Sequence, residues 1–114
     1  MCSKLTNVFI GENVKKIGYA AFEKTSISIL TIPDNVETIG EGAFRSCAAM
    51  TKVTIGSHVS LIEEDAFVDC TKLNTFIFKI PTGWTRIDAD YNVKEIPEDR
   101  LAYFLDLGHR IERS

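Results

Sequence analysis

Long apolar runs are missing from this sequence. No stretch approaches the roughly 18 residues that a helical membrane span needs, so no such span is expected. A basic surplus is missing too: 13 lysines and arginines face 16 aspartates and glutamates, for a formal net charge of −3. Phosphate binding needs a concentrated basic surface, so no nucleic-acid partner is expected. Cysteine is scarce, with three in 114 residues. No C-x-x-C spacing occurs, which argues against a structural metal or a dithiol redox motif. Nothing else is unusual in bulk: 45% apolar and 25% charged residues describe an ordinary soluble chain of one domain.

Internal repetition is what the sequence does have. The pattern C-x2-L-x2-V-x-I-[PG]-x2-V-x2-I-x3-A-F can be laid down three times, then a fourth time in decayed form. Its phase markers are Ala21-Phe22, Ala43-Phe44 and Ala66-Phe67, spaced by 22 and 23 residues. Periods of roughly 20–50 residues signal units that bury their apolar sides only by stacking on neighbours.

The unit Cys47–Phe67 shows the physics. Val53 and Ile55 alternate with Lys52 and Thr54, the period-two signature of a strand with one buried face. Val59 and Ile62 form an opposite wall. A polar turn then leads to Ala66 and Phe67, where the small alanine leaves room for the ring. Aligning the units gives columns: Leu5, Ile27, Met50, Leu73; Val8, Leu30, Val53, Phe76; Ile10, Ile32, Ile55, Phe78; Val14, Val36, Val59, Trp84; and Ile17, Ile39, Ile62, Ile87. Rungs are expected about 4.8 Å apart, the parallel-strand spacing. Two extra residues between Leu73 and Ile80 leave either Phe78 or Ile80 as the partner of Ile55.

The succession Ile32-Pro33, Val36, Ile39-Gly40, Ala43-Phe44, Cys47 resembles the BspA-like (Treponema pallidum-type) leucine-rich repeats. The resemblance covers roughly residues 2–87. Thr25 departs from it at a cysteine position, Gly11 and Gly56 at the proline position, and the last rung lacks its Ala-Phe. The expected fold is a β-rich solenoid, a right-handed coil of short parallel strands joined by tight helical turns, with a C-terminal capping helix. Residues 1–90 would form about four rungs, and residues 91–114 the cap and a charged tail. Pro97-Glu98-Asp99-Arg100 opens the cap helix, with Leu101, Phe104, Leu105 and Ile111 at helical spacing and Gly108 as its stop.

Chemistry is hard to find. Cys47 and Cys70 fall in one column with their Cβ atoms about 4.8 Å apart, slightly long for a disulfide, and Cys2 lies farther off. All three read as buried thiols. His58 follows a strand, away from the cysteine turns, and His109 sits in the tail, so no Cys–His pair is expected. Asp88-x-Asp90-x-Asn92 has the opening spacing of a calcium loop, but Val93 stands where glycine is needed and Pro97 interrupts the rest. It reads as a polar loop. No catalytic residue, metal or cofactor is assigned.

Two surfaces are candidates for contact. The outward rows of the strand face contain Asn7, Ile29, Lys52 and Thr75, and beside them Phe9, Thr31, Thr54 and Ile77. Solenoids bind through such rows, and Phe9, Ile29 and Ile77 would be exposed apolar residues. The first strand, Leu5–Ile10, would present an unpaired edge. Basic residues gather at that end: residues 1–24 carry four basic and two acidic side chains, and residues 25–70 two and seven. The resemblance implies a non-catalytic protein-interaction module, surface-associated and linked to adhesion. The alternative is an intracellular scaffold that oligomerises through the N-terminal edge. A cytoplasmic location is expected if Met1 is the native start, since no signal peptide fits, and a surface or secreted one if the chain belongs to a longer protein.

Overall fold

The structure is a computed structural model, and it describes residues 10–113. Its first six strands come from the repeats: β1 (Lys16–Ile17), β2 (Ile29–Thr31), β3 (Thr38–Ile39), β4 (Lys52–Ile55), β5 (Leu61–Ile62) and β6 (Thr75–Phe78). They form two parallel ladders. In one, β2 pairs with β4 and β4 with β6, in the register Ile29↔Lys52↔Thr75. In the other, β1 pairs with β3 and β3 with β5, in the register Lys16↔Thr38↔Leu61. The sequence period has become the strand register. Ile55 pairs with Phe78, which places the two extra residues after β6 rather than inside it.

The strands are short because each rung has a third side. There, turns replace strands, yet they stack by the same means. Ala20, Phe22 and Lys24 donate their N–H groups to the carbonyls of Glu41, Ala43 and Arg45 at 2.8–3.0 Å. One rung on, Gly42, Phe44 and Ser46 donate to Glu64, Ala66 and Val68 at 2.8–3.0 Å. Two left-handed residues bracket each turn: Ala20 and Lys24, Gly42 and Ser46, Asp65 and Asp69, with φ between 50° and 63°. Glycine occupies only one of the six, so the sequence hardly advertises them.

Between the sides runs the core. Leu30 and Val53, Ile32 and Ile55, Val36 and Val59, Ile39 and Ile62 are all buried. Phe22, Phe44 and Phe67 stack with centroids 5.3 Å apart and planes within 6° of parallel. The fourth rung has no phenylalanine at this position. Phe76 supplies one from the strand column, meeting Phe67 edge-on at 5.4 Å. Phe78 and Trp84 extend the aromatic series, with Trp84 edge-on to Phe78 at 5.5 Å.

Past β6 the expected parallel column pairing ends. Strands β7 (Trp84–Ile87), β8 (Val93–Glu95) and β9 (Ile111–Arg113) are antiparallel, and the sheet order is β1-β3-β5-β9-β7-β8. Ile87 is therefore not the fourth member of the Ile17–Ile39–Ile62 column. Ile111 lies opposite Ile62 instead and is fully buried, while Ile87 is 44% exposed. Nor is Ile111 on a helix face, and the charged tail is not free: Arg113 donates its N–H to Ser60 O at 2.7 Å. The physical reason is that β5 needs one inward apolar residue and a backbone partner at its edge. Once the Ala-Phe turn is lost, the end of the chain supplies both.

The expected cap helix is present but short. Glu98–Arg100 makes one 3-10 turn, followed by the helix α1 (Leu101–Asp106), which buries Leu101 and Leu105. Phe104 is half-buried beneath the Arg86 guanidinium, 4.3 Å from its ring centroid. The Asp88-x-Asp90-x-Asn92 segment turns the β7–β8 hairpin: Asp88 Oδ1 accepts the N–H groups of Asp90 and Asn92 at 2.9 and 3.0 Å. These bonds, the Asn92 one foremost, hold the Asp88 carboxyl below its usual range.

Candidate interaction face

Alternation along a strand points successive side chains to opposite faces, and stacking in register lines them up between strands. On the outer side of the three-stranded sheet this produces two rows. Ile29, Lys52 and Thr75 form one; Thr31, Thr54 and Ile77 form the other. Ile29 is 52% exposed and Ile77 41%. Thr31 and Lys52 are exposed as well, and Thr54 and Thr75 half-buried. Lys52 forms no ion pair among the described residues. The structure thus brings six of the expected face residues together. Asn7 and Phe9 lie outside the described residues, as do Cys2 and all of the Leu5–Ile10 edge except Ile10.

The loops beside this face are tied from rung to rung. Asp34 Oδ1 accepts the Ser57 N–H at 2.9 Å and the Lys79 ammonium at 3.0 Å, so it touches two successive rungs. These bonds, the Ser57 N–H foremost, pull the Asp34 carboxyl down to about 2. His58 Nδ1 donates to Asp34 O at 2.7 Å. Asn35 Nδ2 donates to Gly11 O and Val14 O at 3.2 and 2.6 Å. His58 therefore has a structural bond, and among the described residues no thiol is bonded to it.

The buried cysteines form a ladder of their own. Cys47 Sγ donates to Phe22 O and Cys70 Sγ to Phe44 O, each at 3.2 Å, and each carbonyl lies one rung back. Thr25, in the column position a cysteine would fill, places Oγ1 3.4 Å from Cys47 Sγ. Both thiols are free. The neighbouring Cys47 sulfur, and burial after it, raise the Cys70 thiol above its ordinary range. Such a thiol is a poor nucleophile, because the thiolate is the reactive form. Among the described residues no group of three or more His, Cys, Asp or Glu is placed to hold a metal ion.

One feature escaped the sequence reading: a cleft beside β6, lined by Phe76, Ile77, Phe78, Pro81, Glu98, Asp99 and Leu101. The signal was present in the column positions where valine and isoleucine give way to Phe76 and Phe78.

Stacked parallel rungs, a continuous apolar core and an exposed strand face define a repeat protein. The sequence matches the BspA type leucine-rich repeat region, described as six copies, over residues 1–98, and the chain belongs to that family. Repeats of this family generally mediate protein–protein interaction or adhesion and are typically non-catalytic. Comparison with curated proteins and with solved structures gave no significant match. Among the described residues no helix is long and apolar enough to cross a membrane.

Proposed function

We propose that this chain is a non-catalytic protein-interaction module whose repeats wind as a right-handed solenoid and bind a partner protein through the outer strand face, in adhesion or similar surface-type recognition. The observation that carries this reading is the pair Ile29 and Ile77, both substantially exposed. They stand at the ends of two in-register rows, with a set of threonines between them and Lys52, which forms no ion pair among the described residues. Apolar side chains offer area to a partner, and hydroxyls and a cation offer direction.

The test is a differential capture experiment. Wild type and the double variant Ile29→Ser, Ile77→Ser are immobilised and exposed to the same protein mixture, after circular dichroism has shown both folded. A control variant, Ile87→Ser, removes an exposed apolar residue away from the face. Partners held by wild type and the control but lost from the double variant support the face. Retention of every partner by the double variant would exclude it.

A further inference from the structure

Strand β6 ends the three-stranded sheet, and among the described residues no strand lies beyond it. In a parallel pair only alternate residues direct their N–H and C=O toward a given neighbour. Thr75 donates to Thr51 O and Lys79 to Ile55 O, so the odd-numbered residues face β4. The N–H and C=O groups of Phe76 and Phe78 therefore point to the open side. That side is not flat water. The cleft there has a volume of about 540 Å³, and Phe76, Ile77, Phe78, Pro81 and Leu101 form its apolar lining, with Glu98 and Asp99 at its rim. A smaller cleft shares Phe76 and continues along the helix past Ala102 and Tyr103 to Asp106. A groove thus runs between an open strand edge and the helical segment Glu98–Asp106.

The charge lining the clefts has one sign, while Arg100 of the same helical segment lies over the Tyr103 ring. Glu98, Asp99 and Asp106 are exposed. None is in an ion pair among the described residues. No lysine, arginine or histidine lines either cleft. An open strand edge beside a helix suits strand addition, in which main-chain bonds supply affinity and the flanking wall supplies selectivity. The other ladder differs, because β9 already covers the edge of β5.

We propose that the open edge of β6 and the neighbouring helical segment form a docking groove for an extended, lysine- or arginine-bearing segment of a partner protein, which adds to the three-stranded sheet as a fourth strand. Its backbone pairs with Phe76 and Phe78. Its apolar side chains meet the floor of the cleft, and its basic side chains meet the three carboxylates. Ile77 belongs to both the outer face and the groove, so the two are told apart by Ile29→Ser, which touches the face alone, and by Glu98→Lys, Asp99→Lys, which touch the groove alone.

The probe is a fluorescein-labelled peptide of about eight residues, valine alternating with lysine, titrated by anisotropy against the whole chain. Binding is expected. It should weaken about tenfold or more when alternate peptide nitrogens are methylated, and by a similar factor in the Glu98→Lys, Asp99→Lys variant. The Ile29→Ser variant should bind as wild type does. In the complex, the Phe76 and Phe78 amides should gain protection from hydrogen exchange. No binding up to roughly 1 mM would overturn the proposal. So would equal binding of the methylated peptide, equal binding of a valine–glutamate peptide, or a loss on Ile29→Ser as large as that on Glu98→Lys, Asp99→Lys. Dimerisation of the free protein that Glu98→Lys abolishes would make a second copy the occupant, and would overturn the partner proposed here.

Discussion

The parallel-stacked part, up to Phe78, and the part from Trp84 onward obey different rules. In the first, every strand pairs in parallel with the strand one repeat away, and column membership decides which residues are buried. In the second, strands pair antiparallel, with neighbours the period does not indicate, and Ile87 and Ile111 exchange roles. The difference teaches that a ladder must be ended by something other than its own repeat. The C-terminal segment does so asymmetrically: β9 closes the edge of β5, whereas β6 keeps one edge open toward a groove.

The comparison breaks most readily at the aromatic stack. Phe44 is fully buried between two parallel rings, and Phe44→Ala should cost about 3–5 kcal/mol, the usual range for a core phenylalanine. Phe22 is only half-buried, so Phe22→Ala should cost less. Denaturant titration of both variants would show the order, and equal losses would remove the idea of a stack whose centre matters most.

Next comes the exchange of Ile87 and Ile111. Strict continuation of the repeat makes Ile87 the core residue. The structure makes Ile111 the core residue, so Ile111→Ala should cost about 2–5 kcal/mol. Ile87→Ser should fall within about 0.5 kcal/mol of wild type, as surface changes do. Thermal melts in which Ile87 proves the more damaging site would restore the fourth parallel rung.

A smaller effect separates rungs that share one conformation but not one residue. Gly42 and Ala20 hold the same left-handed position, at φ 63° and 50°. A left-handed conformation costs a residue with a side chain about 1–2 kcal/mol. Ala20→Gly should therefore stabilise the protein and Gly42→Ala destabilise it, each by about 1 kcal/mol. Shifts of the same sign in the two variants would mean that the turns are not equivalent.

The smallest effect is a pH dependence. The Asp34 carboxyl is lowered in the folded chain, so its bonds to Ser57 and Lys79 contribute fully above the ordinary carboxylate value of 3.8. The contribution is lost as pH falls from there toward about 2. Asp34→Asn should flatten stability across that window, and an unchanged slope would show that the inter-rung bonds do not form in solution.

Much of this molecule is legible in its sequence wherever period and chemistry coincide. The Ala-Phe markers gave the phase of the stack, and alternation of Lys52, Val53, Thr54 and Ile55 separated face from core. The end was not legible. Ile111 sits in Arg-Ile-Glu-Arg, too short and too charged to read as a strand until β5 offers it an edge. The β7–β8 hairpin turns on Asp88 and a left-handed Tyr91 rather than on an Asn-Gly pair. The left-handed turn residues were hidden because only one of the six is glycine. The face residues could be located by alternation; the change to Phe76 and Phe78 marked the strand beside the groove but not the groove itself, which depends on how α1 lies beside β6.

Amide hydrogen exchange, read residue by residue, tests the unequal ends most directly. Along β6 the amides of Thr75 and Ile77 should be protected, and those of Phe76 and Phe78 should exchange rapidly although they lie in the same strand. Arg113, bonded to Ser60 at the edge of β5, should be protected with the sheet. Uniform protection along β6 would mean that something already covers its edge, and rapid exchange at Arg113 would mean that β9 does not close the other ladder. Either result would contradict the account.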